Sequence, residues 1–127
     1  MKVFVAHKYR GLDLAYLDNL LDRLSDAISC DTFVLKHYEK QNNVELGVKE
    51  AMPKAFEFLR DCDFLFAVVD GFSEGQLLEI GFAKGSKKKV VLAMKEKNEV
   101  LQSLADEIIW YEDLEDLINK LKLFKWF

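Results

Sequence analysis

The fold is decided by the stretch Val68-Val69-Asp70-Gly71-Phe72-Ser73-Glu74-Gly75-Gln76-Leu77-Leu78-Glu79-Ile80-Gly81-Phe82-Ala83. It begins with the end of an apolar run, continues through a short polar loop and ends in an apolar segment of helical character. A single carboxylate, Glu79, lies in that last segment among residues that favour burial. Burying an ionised carboxylate costs several kcal/mol unless it is paired, hydrogen-bonded or open to a wet cleft. Glu79 is therefore the first candidate functional residue.

The composition predicts one globular domain spanning residues 1–127. Half of the residues are hydrophobic and 31% are charged, which excludes a disordered chain. The net charge of −4 argues against a nucleic-acid-binding surface, although a small anionic ligand can still find a local positive site. The apolar runs fall far short of the roughly 20 residues that a membrane span needs, and no signal-peptide pattern opens the sequence. We therefore expect a cytoplasmic protein that binds neither nucleic acid nor membrane.

Cysteine and histidine usage does not indicate a metal site. Cys30 and Cys62 lack the spacing of metal ligands, and we interpret them as reduced, structural thiols. His7 and His37 are too few and too isolated for a zinc site. His7 is open to two interpretations, a strand-end residue satisfied by the backbone or a catalytic base. With no Asp or Cys beside it in the sequence, a catalytic triad cannot be argued.

Strand and helix patterns alternate along the chain. Short β-branched and aromatic runs predict strands, and apolar residues that recur at three and four predict amphipathic helices. The predicted strands are Lys2–Ala6, 32–35, Phe64–Val69, Lys89–Met94 and 108–110, and the predicted helices are 13–28, 44–60, 76–84, 100–105 and Leu114–Leu123. Residues 36–43 are polar, and we expect a surface loop there. Pro53 should kink the second helix or divide it into two.

This alternation predicts an α/β fold, a three-layer open parallel sheet of about five strands that is flavodoxin-like or Rossmann-like. The strands are apolar throughout, as expected where helices cover both faces of a sheet. In such sheets ligands bind at the carboxyl ends of the strands, near the switch in strand order. Two polar loops, 7–11 and 70–76, leave from strand carboxyl ends, and we expect them to face each other across that crevice.

The residues around Glu79 are compatible with chemistry on a phosphorylated sugar. We expect Glu79 in the first turn or so of its helix, close to backbone amides at 73–76 that suit a phosphate or another anion. An ionised carboxylate beside an anion pocket is what nucleophilic attack on a phosphorylated sugar requires. A plainer interpretation is also open, in which Glu79 faces outward and pairs with Lys84 or with the lysines 87–89.

Two segments of the central stretch, Asp70-Gly71 and Glu79-Ile80-Gly81-Phe82-Ala83, match a more specific pattern. They resemble the nucleoside 2-deoxyribosyltransferase family, whose members carry an Asp-Gly-rich loop followed by a Phe/Tyr-Glu-Ile-Gly-Tyr/Phe segment. The spacing Ser73-x-Gly75-x-x-x-Glu79 looks closest to the 2'-deoxynucleoside 5'-phosphate N-hydrolase branch. Arg10-Gly11 is similar to an Arg-Gly in the opening of that branch, and residues 109–114 are similar to its ending.

The resemblance implies a role for each matching residue. Glu79 would be the catalytic nucleophile that attacks the anomeric carbon and forms a glycosyl-enzyme intermediate. Ser73 and Gly75 would hold the 5'-phosphate with the help of Arg10, and Tyr9 and His7 would line the sugar and base side. The implied substrate-binding set is His7, Tyr9, Arg10, Gly11, Asp70, Gly71, Ser73 and Gly75. The resemblance further implies a small-molecule nucleoside or nucleotide as ligand, no metal, no cofactor, and a homodimer or higher homo-oligomer.

One position departs from the family pattern. The family places a second carboxylate, an aspartate, on the helix before the central strand, and the corresponding residue here is Ala55. Glu50 is a candidate for that role if Pro53 resets the helical register, and Asp70 or Glu74 are the alternatives. A second feature, the aromatic tail at 123–127, is expected either to cap the core or to form a dimer contact.

The sequence thus leaves three functions to compare. The first is cleavage or transfer of an N-glycosidic bond on (deoxy)nucleosides or their 5'-monophosphates, with Glu79 as the nucleophile. The second is a non-catalytic nucleotide-binding or signalling domain of the same fold, which the missing acid at Ala55 favours. The third is a Toll/interleukin-receptor-like domain that cleaves NAD, but the serine-tryptophan pattern that precedes the glutamate of such domains is not seen here.

Overall fold

A computed structural model describes residues 1–9, 11, 13–71 and 73–126. Its described residues form one five-stranded sheet in which every pairing is parallel, with the strand order β2-β1-β3-β4-β5. The strands are β1 (Lys2–Ala6), β2 (Asp31–Phe33), β3 (Phe64–Val69), β4 (Lys89–Met94) and β5 (Glu107–Trp110). The predicted α/β fold with an open parallel sheet is confirmed.

Helices cover both faces of this sheet and make it a three-layer structure. They are α1 (Leu14–Ala27), α2 (Leu35–Gln41), α3 (Val48–Arg60), α4 (Glu74–Gly85), α5 (Glu99–Leu104) and α6 (Leu114–Leu123). Side chains of α1 and α6 pack on one face, and those of α3, α4 and α5 pack on the other. None of the described helices is both long and apolar enough to traverse a lipid bilayer.

Two sequence predictions in the middle of the chain were wrong. The predicted loop 36–43 is mostly the helix α2, and β2 ends at Phe33 rather than at residue 35. The sequence of α2 is mostly polar and does not indicate the apolar contact that stabilises the helix. Tyr38 of α2 packs on Phe58 of α3, with ring centroids 5.1 Å apart. Tertiary packing of this kind overrides weak local propensity.

The predicted division of the helix at Pro53 was also not found. The helix α3 runs without interruption from Val48 to Arg60, and Pro53 lies on its exposed side. A proline leaves the carbonyl one turn earlier without its intrahelical hydrogen bond. On the exposed side of a helix water can bind that carbonyl, which lowers the free-energy cost of a proline there. The register of α3 is therefore not reset, and Ala55 faces the core.

The aromatic tail caps the core of its own chain. The indole of Trp126 is fully buried and meets the rings of Phe64 and Phe66 edge to face, with centroids 5.6 and 5.7 Å apart. Phe124 packs against the same indole at 4.7 Å. Of the two roles expected for this segment, the structure supports intramolecular packing for Trp126, while Phe127 lies outside the described residues.

A buried glutamine fastens α4 to the carboxyl edge of the sheet. The ladder between β1 and β3 ends at the pair Ala6 and Ala67. Just beyond it, the Gln76 amide Nε2 donates to the Ala6 carbonyl at 3.2 Å and to the Val68 carbonyl at 2.7 Å. Gln76 is only 4% exposed, so water cannot replace these bonds readily. One side chain thereby fixes the distance between two strand ends and the start of α4.

We predict that replacing Gln76 by methionine, which keeps the length of the side chain but removes its amide, destabilises the protein by about 1 to 3 kcal/mol. The reason is that two carbonyls lose a donor inside a site with little water. Urea unfolding followed by circular dichroism measures the effect. Gln41→Met, at the exposed end of α2, is the matched control and should change the free energy of unfolding by no more than about 0.5 kcal/mol. Equal stabilities of the two variants would contradict the role given to Gln76.

Candidate active site

The site lies where β1 and β3, adjacent in the sheet, end at the same edge. Residues 7–9 follow β1, and residues 70 and 71 follow β3, shortly before α4 begins at Glu74. Lys8 from the first loop reaches the second, since its Nζ is 3.7 Å from the position that a Cβ on Gly71 would occupy. The expectation that the two polar loops face each other is confirmed. Parallel α/β sheets bind ligands in this kind of crevice.

The turns in both loops depend on glycine. Gly11 has φ +79° and Gly71 has φ +80°, backbone conformations that side chains with a Cβ rarely adopt. The two predicted binding glycines therefore have a conformational reason for their positions, which is the positive φ of the backbone at each.

Glu79 lies in the second turn of α4, one turn later than the sequence suggested. It is half-buried, and burial raises the pKa of its carboxyl group to about 8. The structure gives it no ion pair with any described lysine or arginine. Lys84 instead pairs with Asp106 at 3.5 Å, and Lys88 donates to the Arg60 carbonyl. The plainer interpretation, an outward glutamate held by one of these lysines, is not supported.

Tyr9 lies close to Glu79. Burial, and then the negative charges of Glu79 and Glu39, raise the pKa of the Tyr9 phenol, which keeps it protonated. A protonated phenol beside a carboxylate can donate a hydrogen bond to it. Glu39 belongs to α2, the helix that was not predicted from the sequence. Its Oε2 accepts a hydrogen bond from the Leu46 backbone amide at 2.9 Å. It therefore has a structural task in holding the segment before α3.

Ser73 caps the amino terminus of α4. Its Oγ accepts from the Gln76 backbone amide at 3.3 Å, which is the N-cap arrangement that this residue type favours. The hydroxyl hydrogen is not used by this bond and can be donated to a ligand. Gly75 lies in the first turn, where an added Cβ would come to 3.5 Å from the Met52 Sδ of α3. Both residues are placed at an end of a helix that favours anions.

His7 is held at the end of β1. Its side chain is buried at 8% exposure, and its Nδ1 is 2.7 Å from the Lys8 carbonyl. Burial lowers the pKa of His7 below its ordinary value of 6.5, although the Lys8 carbonyl and the negative charge of Asp70 act in the opposite direction. The charge of Asp70 thus reaches His7, a proximity that the sequence could not show. Asp70 itself is exposed on the crevice side of β3.

The structure therefore places the predicted residues in two loops and one helix at a single edge of the sheet. These are His7, Tyr9, Gly11, Asp70, Gly71, Ser73, Gly75 and Glu79, whereas Arg10 lies outside the described residues. Among the alternatives for the second acid, Glu50 lies in the first turn of α3 with its Oε2 2.8 Å from the Cβ position of Gly47. The uninterrupted α3 removes the argument for Glu50. Asp70 and Glu74 stay as candidates.

Sequence reasoning missed two contributors, Lys8 and Gln76. Lys8 belonged to a loop already singled out, but its direction toward Gly71 is a tertiary fact. Gln76 was visible as a polar residue in an apolar helix, as Glu79 was, and the same argument about burial could have identified it. Within the described part of the chain, no three His, Cys, Asp or Glu side chains are grouped in a way that could hold a metal ion.

Comparison with known proteins identifies similar structures. No family model and no curated protein sequence matches the chain. A 2-deoxyribosyltransferase from Bacillus psychrosaccharolyticus superimposes with a TM-score of 0.73 and 15% identity, over 99% of this chain and 93% of that one. A CMP N-glycosidase from Clostridium botulinum gives 0.68 and 17%, over 98% and 100%. A conserved protein from Enterococcus faecalis V583 gives 0.68 and 18%, over 96% and 97%.

These similarities extend over nearly the whole length of each chain, but at identities that establish only a shared fold. The sequence resemblance described above is confirmed at that level. The chain has the fold of the nucleoside 2-deoxyribosyltransferases and of a nucleotide N-glycosidase.

Proposed function

We propose that this protein cleaves the N-glycosidic bond of a (deoxy)nucleoside or its 5'-monophosphate, by hydrolysis or by transfer to a second base, with Glu79 as the nucleophile. The observation that carries the proposal is the state of Glu79, a half-buried carboxylate with no ion pair among the described residues, next to Tyr9 and at the ligand-binding edge of the sheet. Such a residue costs stability, and functional sites are where that cost is commonly found. The names of the similar structures point to the same chemistry.

The reaction uses the low polarity around Glu79. As the C1'–N bond breaks, positive charge develops on the sugar. Burial raises the pKa of the Glu79 carboxyl group to about 8, so the group gives up its proton as this charge develops, and the resulting carboxylate bonds to C1'. Tyr9, which lies close to Glu79 and stays protonated, can donate a hydrogen bond to that carboxylate. The departing base requires a proton or a hydrogen-bond donor. With Ala55 in place of the second acid, we propose that water supplies this proton and that the exposed Asp70 carboxylate at the end of β3 orients the water by accepting a hydrogen bond from it.

The proposed 5'-phosphate preference rests on the start of α4 and on Lys8. Ser73 caps the amino terminus of α4, and the Lys8 Nζ lies 3.7 Å from the Cβ position of Gly71, two residues before Ser73. An anion there gains from the helix dipole and from a charge-assisted hydrogen bond to Lys8. Arg10, which the sequence resemblance assigns to the same group, would add a second cation. We therefore propose the 5'-monophosphate as the better substrate.

The leading alternative is a nucleotide-binding or signalling domain of the same fold without activity. The observation that favours it is Ala55, which is buried on α3 and cannot transfer a proton. Such a domain would bind the same ligand through the same loops. The two functions therefore differ only in turnover, and turnover that depends on Glu79 decides between them.

We further propose that the protein acts in the cytoplasm as a homodimer or higher homo-oligomer. Leu77 and Leu78 precede Glu79 on α4 and are 39% and 57% exposed. Adjacent exposed leucines next to a candidate active site favour a contact with a second copy of the chain. Within the aromatic tail, Trp126 is not available for such a contact because it is fully buried in the core of its own chain.

Glu79→Gln should lower free-base release by about 10³-fold or more, because the amide cannot form the covalent intermediate. The measurement is chromatography of free bases from a panel of ribo- and deoxyribonucleosides and their 5'-monophosphates, with a second free base added to separate transfer from hydrolysis. Glu57→Gln, on the exposed face of α3, is the matched control and should retain wild-type rates. A folded wild type that binds nucleotide but releases no base would favour the alternative function.

Lys8→Met should raise the KM for a 5'-monophosphate about tenfold and leave the KM for the corresponding nucleoside unchanged, since one charge-assisted contact to the phosphate is lost. Steady-state kinetics on the two substrates provide the comparison. Lys125→Met removes an exposed lysine outside the site and serves as the control. An equal loss on both substrates would mean that Lys8 supports the loop rather than the phosphate.

Protein stability should also report the buried carboxyl of Glu79. The folded protein keeps this proton up to about pH 8, whereas the unfolded chain releases it near pH 4.5. Folding therefore takes up a proton between these values, and this group makes the free energy of unfolding fall as the pH rises through the window. The glutamine in Glu79→Gln cannot titrate, so the variant lacks this effect. The free energy of unfolding of the variant, taken relative to wild type, should therefore be higher at pH 8.5 than at pH 4.5, by up to about 4 kcal/mol.

Urea unfolding of wild type and variant at the two pH values measures this difference, and all other titrating groups cancel in the comparison. Glu57→Gln should show the pH dependence of the wild type. A stability difference between wild type and Glu79→Gln that stays constant from pH 4.5 to 8.5 would show that Glu79 is ionised and well solvated in the folded protein.

A further inference from the structure

The hydrogen bond of His7 fixes which of its two nitrogens carries the proton. Nδ1 is 2.7 Å from the Lys8 carbonyl, and a carbonyl oxygen can only accept a hydrogen bond. Nδ1 is therefore the protonated nitrogen, and Nε2 of the neutral ring presents a lone pair. The structure shows no hydrogen bond from Nε2 to any described residue. The His7 side chain is 8% exposed, and its Nε2 is not among the buried polar atoms that lack a partner, so this acceptor is open to solvent at the candidate active site.

The protonation state of His7 decides what this acceptor can do. Burial lowers the pKa of His7, and the opposing effects of the Lys8 carbonyl and the Asp70 charge do not reverse that direction. The ring is neutral at pH 7, so Nε2 has no proton to give and can only take one. His7 is therefore suited to be a general base and unsuited to protonate a leaving group.

His7 lies at the same edge of the sheet as the proposed nucleophile. Its chain neighbour Ala6 accepts the hydrogen bond from Gln76, which lies one turn before Glu79 on α4. Two residues after His7, the ring of Tyr9 is close enough for the charge of Glu79 to affect it. The chain around His7 thus contacts α4 through the hydrogen bond between Ala6 and Gln76, and this contact holds His7 and Glu79 at the same edge of the sheet. The helix that could have carried a second acid presents the apolar Ala55 instead.

Resting on the proposed function, we propose that His7 is the general base that activates water in the second half of the reaction. Nε2 takes one proton from a water molecule while the water oxygen bonds to C1' of the glycosyl-enzyme. The bond between C1' and the Glu79 carboxylate oxygen breaks, and its electron pair returns to the carboxylate. The products are the free sugar or sugar phosphate, ionised Glu79 and protonated His7, which then releases its proton to solvent.

The test compares the first turnover with later ones in His7→Asn. The asparagine amide can still donate to the Lys8 carbonyl, so the variant removes the base but keeps the anchor. Rapid-quench measurement of free-base release should show a burst equivalent to one base per active site at the wild-type rate. The following steady state should be about 100-fold slower, because water attack is unassisted. Sodium azide, an anionic nucleophile that needs no base, should restore the steady-state rate and yield a glycosyl azide.

The controls separate this inference from the function on which it rests. His37→Asn changes a histidine of α2 that pairs with Asp22 at 2.8 Å, and it should behave as wild type. His7→Gln is the second variant, in case His7→Asn folds poorly, and it should show the same burst and azide rescue. Two results with an active wild type would show that His7 is not the base. In the first, both His7 variants keep the steady-state rate of the wild type; in the second, both lose the burst and azide does not restore their rate. A folded wild type that releases no base from any substrate would overturn the proposed function, and this inference with it.

Discussion

The two hydrogen bonds of the Gln76 amide are the contact on which the candidate site depends. They join α4 to the carbonyls of Ala6 and Val68, which belong to different strands. They fasten the first turn of α4 to the edge where β1 and β3 pair, and Glu79 lies one turn further along the same helix. A buried amide with two carbonyl acceptors is well suited to this purpose, because any rearrangement would leave polar atoms without partners.

The burial of the Glu79 carboxyl group links the stability of this protein to its proposed chemistry. The fold half-buries the Glu79 carboxyl group on α4 with no described cation to pair with it, and burial raises its pKa to about 8, so the group keeps its proton until a positive charge appears nearby. An oxocarbenium-like sugar would supply the missing positive charge only during the reaction. Lys8 and the amino terminus of α4 provide positive character near Gly71, where we propose that the phosphate binds.

The sequence predicted the parts of the fold that depend on local pattern. The bounds of β3 and β4 were correct because continuous apolar runs ended abruptly in polar residues, and α6 was correct because its apolar spacing is regular. The helix α2 was missed because a distant contact, Tyr38 on Phe58, stabilises it. The same limit applies at the site. Glu79 was found because its neighbours in the sequence made it anomalous, whereas the Gln76 bond to Ala6 spans 70 positions and the approach of Lys8 to Gly71 exists only after folding.

The most direct test of the central claim is mass spectrometry of the protein quenched with acid during turnover of a deoxynucleoside 5'-monophosphate. Peptide mapping would locate any covalent sugar phosphate, and the acid quench preserves an intermediate whose hydrolysis requires a neutral base. We predict a deoxyribosyl phosphate adduct on Glu79 that disappears when substrate is exhausted. Turnover without a covalent adduct, or with an adduct on another side chain, would contradict the assignment of Glu79 as the nucleophile.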